Sequence, residues 1–237
     1  MMKKMLIAAI CLAVLASCTA PFNGDLFQFV GVPFPTYTVN YNGNGNNAGS
    51  APVDNAGVVA GRLATAIGPG SLSLTNAYYA GWNTQPDGSG TTYIAGETFT
   101  MVKGGLTLYA IWLGGSGGVL SIIPPNLTRL VVPSSIVTIS AIGACPNLTS
   151  IDLPSSVTSI VTNAFMNCPN LAAINMPVPS SNFKVINGGL ENLTTTTLVC
   201  VPAKLNGVLA IPMGITAVDQ FAFNGCTNLT GITIPPT

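Results

Sequence analysis

The side chains able to do chemistry in this 237-residue chain are few, and their types narrow what that chemistry is. Histidine is absent, which removes the commonest general base and metal ligand. Seven carboxylates are scattered along the chain, and none forms a close pair in sequence. Six cysteines are the remaining reactive groups. Three of them, Cys145, Cys168 and Cys226, recur at one position of a repeated text, and no CxxC or Cys/His spacing points to zinc. Two readings stay open for them. If successive units stack like neighbouring strands, Cys145 and Cys168 fall about 5 Å apart, within reach of a disulfide. Cysteine is also among the most buried residue types, and a ladder of small apolar thiols serves a core equally well. With no nucleophile–base constellation, the chain is expected to have no catalytic residues and to need no metal or cofactor. Four Asn-Leu-Thr tripeptides, beginning at Asn126, Asn147, Asn192 and Asn228, match the glycosylation sequon. At repeat spacing they read instead as turn asparagines beside an inward leucine.

The first twenty residues carry a different chemistry. Met1-Met2-Lys3-Lys4 is a short basic start, and the apolar run from Met5 to Leu15 is shorter than the roughly 20 residues a bilayer span needs. Leu15-Ala16-Ser17-Cys18 then resembles the lipobox of bacterial lipoproteins. That resemblance implies a signal peptide over residues 1–17, removed in the mature protein, and a diacylated Cys18 as membrane anchor. Cleavage removes Lys3 and Lys4, leaving five basic against seven acidic residues and a net charge of −2. Neither sign is clustered. Nucleic acid, which demands a basic stripe, is therefore not an expected partner, and no polybasic segment addresses a membrane surface. A surface of Ser, Thr, Asn and Gly suits an extracellular β-rich protein.

Residues 18–35 contain Pro21, Pro33 and Pro35 without periodicity and read as a tether. From Thr36 the pattern becomes that of strands. Tyr37-Thr38-Val39-Asn40-Tyr41 alternates, Asn42-Gly43-Asn44-Gly45 supplies turn chemistry, and Tyr78 to Thr84 and Leu106 to Trp112 are further β-rich runs. Together with Gly88-Ser89-Gly90-Thr91 and Tyr93 with Gly96, these motifs resemble the Listeria–Bacteroides (internalin B-type) repeat. The resemblance implies a small β-grasp-like domain over residues 36–112, used as a spacer or interaction module. The stretch from Arg62 to Leu74, where a helix is expected, departs from the usual pattern and is Gly- and Ala-rich. Trp82 and Trp112 are expected in the core of this small domain, with a sugar-stacking platform as the alternative.

Gly114-Gly115-Ser116-Gly117-Gly118 reads as a flexible joint, so residues 113–119 are expected to be a linker. Beyond it the chain repeats itself. Leu127-Thr128-Arg129-Leu130-Val131-Val132-Pro133-Ser134-Ser135-Ile136 aligns with Leu148-Thr149-Ser150-Ile151-Asp152-Leu153-Pro154-Ser155-Ser156-Val157, and further copies begin at Leu171 and Leu229. Each unit offers two apolar sides that it cannot bury alone, so the units are expected to stack into one core. Ala164-Phe165-Met166-Asn167-Cys168-Pro169-Asn170-Leu171 and Ala222-Phe223-Asn224-Gly225-Cys226-Thr227-Asn228-Leu229 resemble the BspA-like (Treponema pallidum-type) leucine-rich repeat. That resemblance covers residues 120–237 and implies a curved β-solenoid of the kind found on bacterial surface proteins. The fold class expected is mainly β, a β-grasp-like domain followed by a leucine-rich-repeat solenoid.

Alternation on the repeat strands points every second side chain outward. It nominates Arg129, Val131, Ser150, Asp152, Ala173, Asn175 and Thr233 as the partner-binding surface. The functional expectation is a lipid-anchored, surface-exposed envelope protein, held at the outer membrane, that binds a protein partner on host matrix or neighbouring cells. The alternative is a glycan-capture or structural envelope lipoprotein. Glycan capture asks for exposed aromatics on the repeats, where only Phe165, Phe183, Phe221 and Phe223 are available and most read as core. The last strand, followed by Pro235-Pro236-Thr237, has no polar capping unit after it, so the expectation is either a truncated member of a longer family or an edge that pairs with another chain.

Overall fold

The computed structural model describes residues 33–236, so Cys18 and most of the tether lie outside the described residues. The first module contains β1 (Thr36–Tyr37), β2 (Val39–Asn42), β3 (Val58–Val59), β4 (Leu63–Thr65) and β5 (Ala77–Asn83). It continues with β6 (Thr92–Tyr93), β7 (Thr98–Thr100) and the long β8 (Leu106–Ser116). In β2, Val39 and Tyr41 are buried while Asn40 and Asn42 face solvent, the period-two signature of a half-buried strand. β8 holds β2 in parallel and β5 antiparallel, and β6 extends β5. Among the described residues every regular element is a strand. Where a helix was expected, Gly68-Pro69-Gly70 interrupts helical propensity, and Leu63–Thr65 instead pairs antiparallel with β7.

Trp82 is fully buried and anchors this module, its ring 4.7 Å from that of Tyr41. Trp82 Nε1 donates to the Ile67 carbonyl at 2.7 Å, and the Ile67 amide donates to the Tyr41 hydroxyl at 3.0 Å. The irregular stretch is thus tied to the sheet by side chains that also fill the core. Gly81 sits in the register shift between β5 and β8 at φ 127°, where a Cβ would press on the Tyr93 carbonyl at 2.8 Å.

The repeats supply β9 (Val119–Ile122), β10 (Arg129–Val131), β11 (Thr138–Ile139), β12 (Ser150–Asp152), β13 (Ser159–Ile160) and β14 (Ala173–Asn175). They end in β15 (Phe183–Ile186), β16 (Gly189–Asn192), β17 (Thr197–Cys200), β18 (Gly207–Ala210), β19 (Ala217–Val218) and β20 (Leu229–Thr233). β10, β12 and β14 are parallel and in register, as are β9, β11 and β13. Stacking turns each repeat position into a ladder: Leu127, Leu148 and Leu171, then Leu130, Ile151 and Ile174, then Val132, Leu153 and Met176, all buried. Each such side chain contributes about 1.5–3 kcal/mol of burial, available only because the adjacent unit covers it. The sequon asparagines serve the turns, as Asn147 Nδ2 donates to Asn126 Oδ1 across units.

The glycine-rich stretch is a correction to the expected linker. Residues 106–116 form one strand, and β8 folds back on β9 as an antiparallel hairpin. Gly117 and Gly118 occupy the turn at φ 58° and 80°, which an L side chain rarely adopts. Glycine here answers a steric demand rather than supplying slack. The sheet therefore runs unbroken in the order β13-β11-β9-β8-β5-β6, from the repeats into the first module. Ala80, Ile111 and Leu113 of that module lie in the same core as the leucine ladders. The module thus closes the first end of the solenoid core. At the other end, β15–β17 form an antiparallel meander, and β18 with β20 a separate parallel pair over a small second core.

Candidate functional site

Registry places the nominated side chains in two rows. Arg129, Ser150 and Ala173 form one, and Val131, Asp152 and Asn175 the other, while the residues between them point into the core. Six of the seven residues nominated from sequence are thus brought together. Thr233 is not: it lies on β20, opposite Ala210, in the separate sheet. The antiparallel meander β15–β17 interrupts the stack before that strand.

The row is bounded by walls that the three stacked strands alone do not supply. A groove of about 600 Å³ lies over the strand face, lined by Arg129, Val131, Asp152, Asn175, Met176 and Pro177, with Ile94 from the first module and Val185 from β15. Its floor is a polar relay. Arg129 Nη1 donates to both carboxylate oxygens of Glu97 at 2.9 and 3.2 Å, and Arg129 Nε donates to Asp152 Oδ2 at 2.9 Å. Asn175 Nδ2 donates to the other Asp152 oxygen at 2.7 Å. Burial works against the guanidinium charge, but the bonds to Glu97 and Asp152 outweigh it and hold Arg129 above its ordinary value. The relay is about one-third exposed, with side-chain exposures of 34%, 31% and 25% for Arg129, Glu97 and Asp152, so it remains within reach of a ligand.

The relay is internally satisfied. Each charged group already has an opposite charge or an amide as partner, and no nucleophile sits beside a base. Among the described residues no cluster of three or more His, Cys, Asp or Glu side chains is arranged to hold a metal ion. Glu97 and Ile94 could not be nominated from the repeats, because they arrive from outside them, and Val185 belongs to the meander rather than to the three stacked strands. Met176 and Pro177 lie in the repeat text, at the positions of Leu153 and Pro154.

Of the three cysteines at the shared repeat position, Cys145 and Cys168 lie in the solenoid core, whereas Cys226 is half-buried beside the separate second core. Cys145, Cys168, Cys200 and Cys226 are free thiols, the first two buried in the solenoid core. The neighbouring Cys145 thiol, together with burial, holds Cys168 far above its ordinary value. Trp82 takes the core position expected of it, whereas Trp112 is half-buried and its indole N–H donates to the Gly43 carbonyl at 2.8 Å. Of the repeat phenylalanines, Phe165 and Phe183 are buried, Phe223 is half-buried and Phe221 reaches solvent.

Comparison with known proteins places both halves of the chain. Residues 37–111 match the family model of the Listeria-Bacteroides repeat domain, and residues 124–209 and 207–237 match six copies of the BspA type leucine rich repeat region. The chain therefore carries a segment that matches the Listeria-Bacteroides repeat followed by one that matches the BspA type leucine rich repeat. A provisionally named membrane protein of Evansella cellulosilytica is 38% identical over 76 residues, 32% of this chain and 11% of that protein. Among solved structures, the pneumococcal vaccine antigen PcpA is 23% identical, covering 48% of this chain and 31% of that one at a TM-score of 0.43. A leucine rich cell surface protein from Faecalibacterium prausnitzii A2-165 is 26% identical, covering 54% and 38% at a TM-score of 0.38. The chain spans about a tenth of the curated relative and less than two fifths of either structure.

Proposed function

We propose that this chain, built from a Listeria-Bacteroides repeat and a BspA-type leucine-rich repeat region, is a non-catalytic envelope protein that seats a protein partner in the groove over β10, β12 and β14. The observation that carries this reading is the composite groove itself. Two repeat families and a meander contribute to one 600 Å³ depression, with apolar walls and an ion-paired floor. An apolar anchor in a pocket beside a satisfied polar group is the usual anatomy of a protein-binding hot spot. The lipobox at Leu15 to Cys18 supports anchoring at the membrane through Cys18. The near-neutral, low-charge surface supports exposure outside the cell, where host matrix proteins and neighbouring cells are the partners within reach.

The test places a charge in the groove. A partner side chain buried there contributes about 1.5–3 kcal/mol, which is roughly 10- to 150-fold in affinity. Val131→Arg fills the groove from a half-exposed strand position and should weaken binding to immobilised matrix proteins or intact cells by that factor. Thr158→Arg, an exposed change outside the groove lining, should leave it unchanged. A wild-type chain that binds none of these, or a Val131→Arg variant that binds as well as wild type, overturns the reading. Anchoring is tested separately by protease shaving of intact cells, in which Cys18→Ala should release the protein from the membrane.

A further inference from the structure

A second cleft lies where the first module meets the repeats, and we propose that it is a subsite for a neutral saccharide ring stacked on Trp112. The cleft has a volume of about 250 Å³ and is lined by Asn44, Leu74, Gln85, Pro86, Trp112 and Pro124, among others. This is slightly below the roughly 300–1,000 Å³ of common small-molecule sites, and it suits a single ring. Its walls come from both sides of the hairpin seam. Pro124 follows β9, whereas the other five belong to the first module.

The indole is held from behind. Trp112 Nε1 donates to the Gly43 carbonyl at 2.8 Å, and the Tyr79 ring meets it edge-on with centroids 6.1 Å apart. Asn44 fixes the neighbouring wall by giving both amide hydrogens away, to the carbonyls of Pro86 at 2.8 Å and Ala110 at 2.9 Å. Its Oδ1 is left as an acceptor. The Gln85 backbone is pinned by Asn83 Oδ1 at 2.8 Å, while its exposed side-chain amide is bonded to nothing among the described residues. The cleft therefore offers one aromatic surface, one acceptor, and one amide able to donate and accept at once.

The lining decides the class of ligand. None of its side chains is ionisable, so a charged ligand would lose hydration without gaining a counter-charge. A pyranose presents an apolar C–H face and adjacent hydroxyls on one ring. The first matches the indole, and the second match an amide pair. A proline-rich peptide would also find an aromatic surface here, but it would leave the free Gln85 amide without a matched pair of hydroxyls. The groove over β10, β12 and β14 is not involved, so this inference stands or falls separately from the protein-binding reading.

Trp82 is fully buried, so a ligand-induced change in tryptophan emission reports Trp112. The mature chain is titrated with maltohexaose, cellohexaose and chitohexaose, and separately with a proline-rich peptide. At least one sugar should give a saturable change that disappears in Trp112→Phe. In Gln85→Ala the affinity should fall about 3- to 10-fold, the cost of a lost neutral hydrogen bond, with the melting temperature unchanged. Silence toward all three sugars at millimolar concentration overturns the proposal. So does a Gln85→Ala variant that binds them as wild type does, or a response to the peptide alone.

Discussion

The Glu97–Arg129–Asp152 relay joins the first module to the repeats, so its strength can be measured as coupling between them. Arg129 sits on β10 of the solenoid, while Glu97 lies just before β7 of the module. All three side chains are roughly one-third exposed, which discounts the Coulomb term heavily. Exposed ion pairs are worth about 0.2–1 kcal/mol, and the three-charge network of Arg129 with Glu97 and Asp152 argues for the upper part of that range. A double-mutant cycle of Glu97→Gln and Arg129→Met is therefore expected to give a coupling of about 0.5–1 kcal/mol. Urea unfolding followed by far-UV circular dichroism measures it, with a loss of about 1–4 °C in Tm for either single variant. The coupling should shrink as salt rises from about 0.01 to 1 M, because the Debye length falls from about 30 to 3 Å. A coupling indistinguishable from zero at low salt, or one that does not respond to salt, refutes the relay as a link between the two parts.

Three other outcomes are expected. Ile151→Ala empties a fully buried rung in the middle strand of the face and should cost about 2–5 kcal/mol by chemical denaturation, against less than about 0.5 kcal/mol for its half-exposed neighbour Ser150→Ala. Gly115→Ala forces a Cβ into the Val119 carbonyl at φ 152°; calorimetry should show the single transition of the wild type split in two, and a single sharp transition in the variant would contradict the shared sheet. Burial pushes the Cys200 thiol up to about 12 from its ordinary 9.0. The folded chain then keeps a proton that the unfolded chain releases, so this group's stabilisation is full below pH 9 and is lost as pH rises toward 12. Urea midpoints across that window should decline less steeply in Cys200→Val, and parallel declines would show that the surroundings of this half-buried thiol do not hold its proton.

What could be read from sequence, and what could not, follows from the range of each interaction. The rows on the strand face were legible because a repeat carries its own register: Leu130, Ile151 and Ile174 point inward, so their neighbours point out. Thr233 obeys the same local alternation, yet it lies elsewhere because β15–β17 break the stack before β20 forms. The text of one unit cannot show that. Gly114 to Gly118 misled for a different reason. Glycine is chosen both for freedom and for positive φ, and only the pairing of β8 with β9 tells which. Ile94 and Val185 complete the groove from outside the three stacked strands, and Glu97 of the first module holds Arg129 beside it; no periodicity connects them to Arg129. The cysteine ladder was legible as an equivalence of positions, whereas the choice between thiol and bridge needed the packing around Cys145 and Cys168.

The central claim, that the groove over β10, β12 and β14 receives a protein partner, is tested most directly by site-specific photocrosslinking on living cells. A photoreactive side chain replaces Val131 or Asn175, both lining the groove, and in a control replaces Ser155, which is exposed in the turn after β12. The account expects a discrete protein adduct from the two groove positions and none from Ser155. Adducts of equal yield at all three positions, or none from the groove while the protein is shown to be exposed, would contradict it.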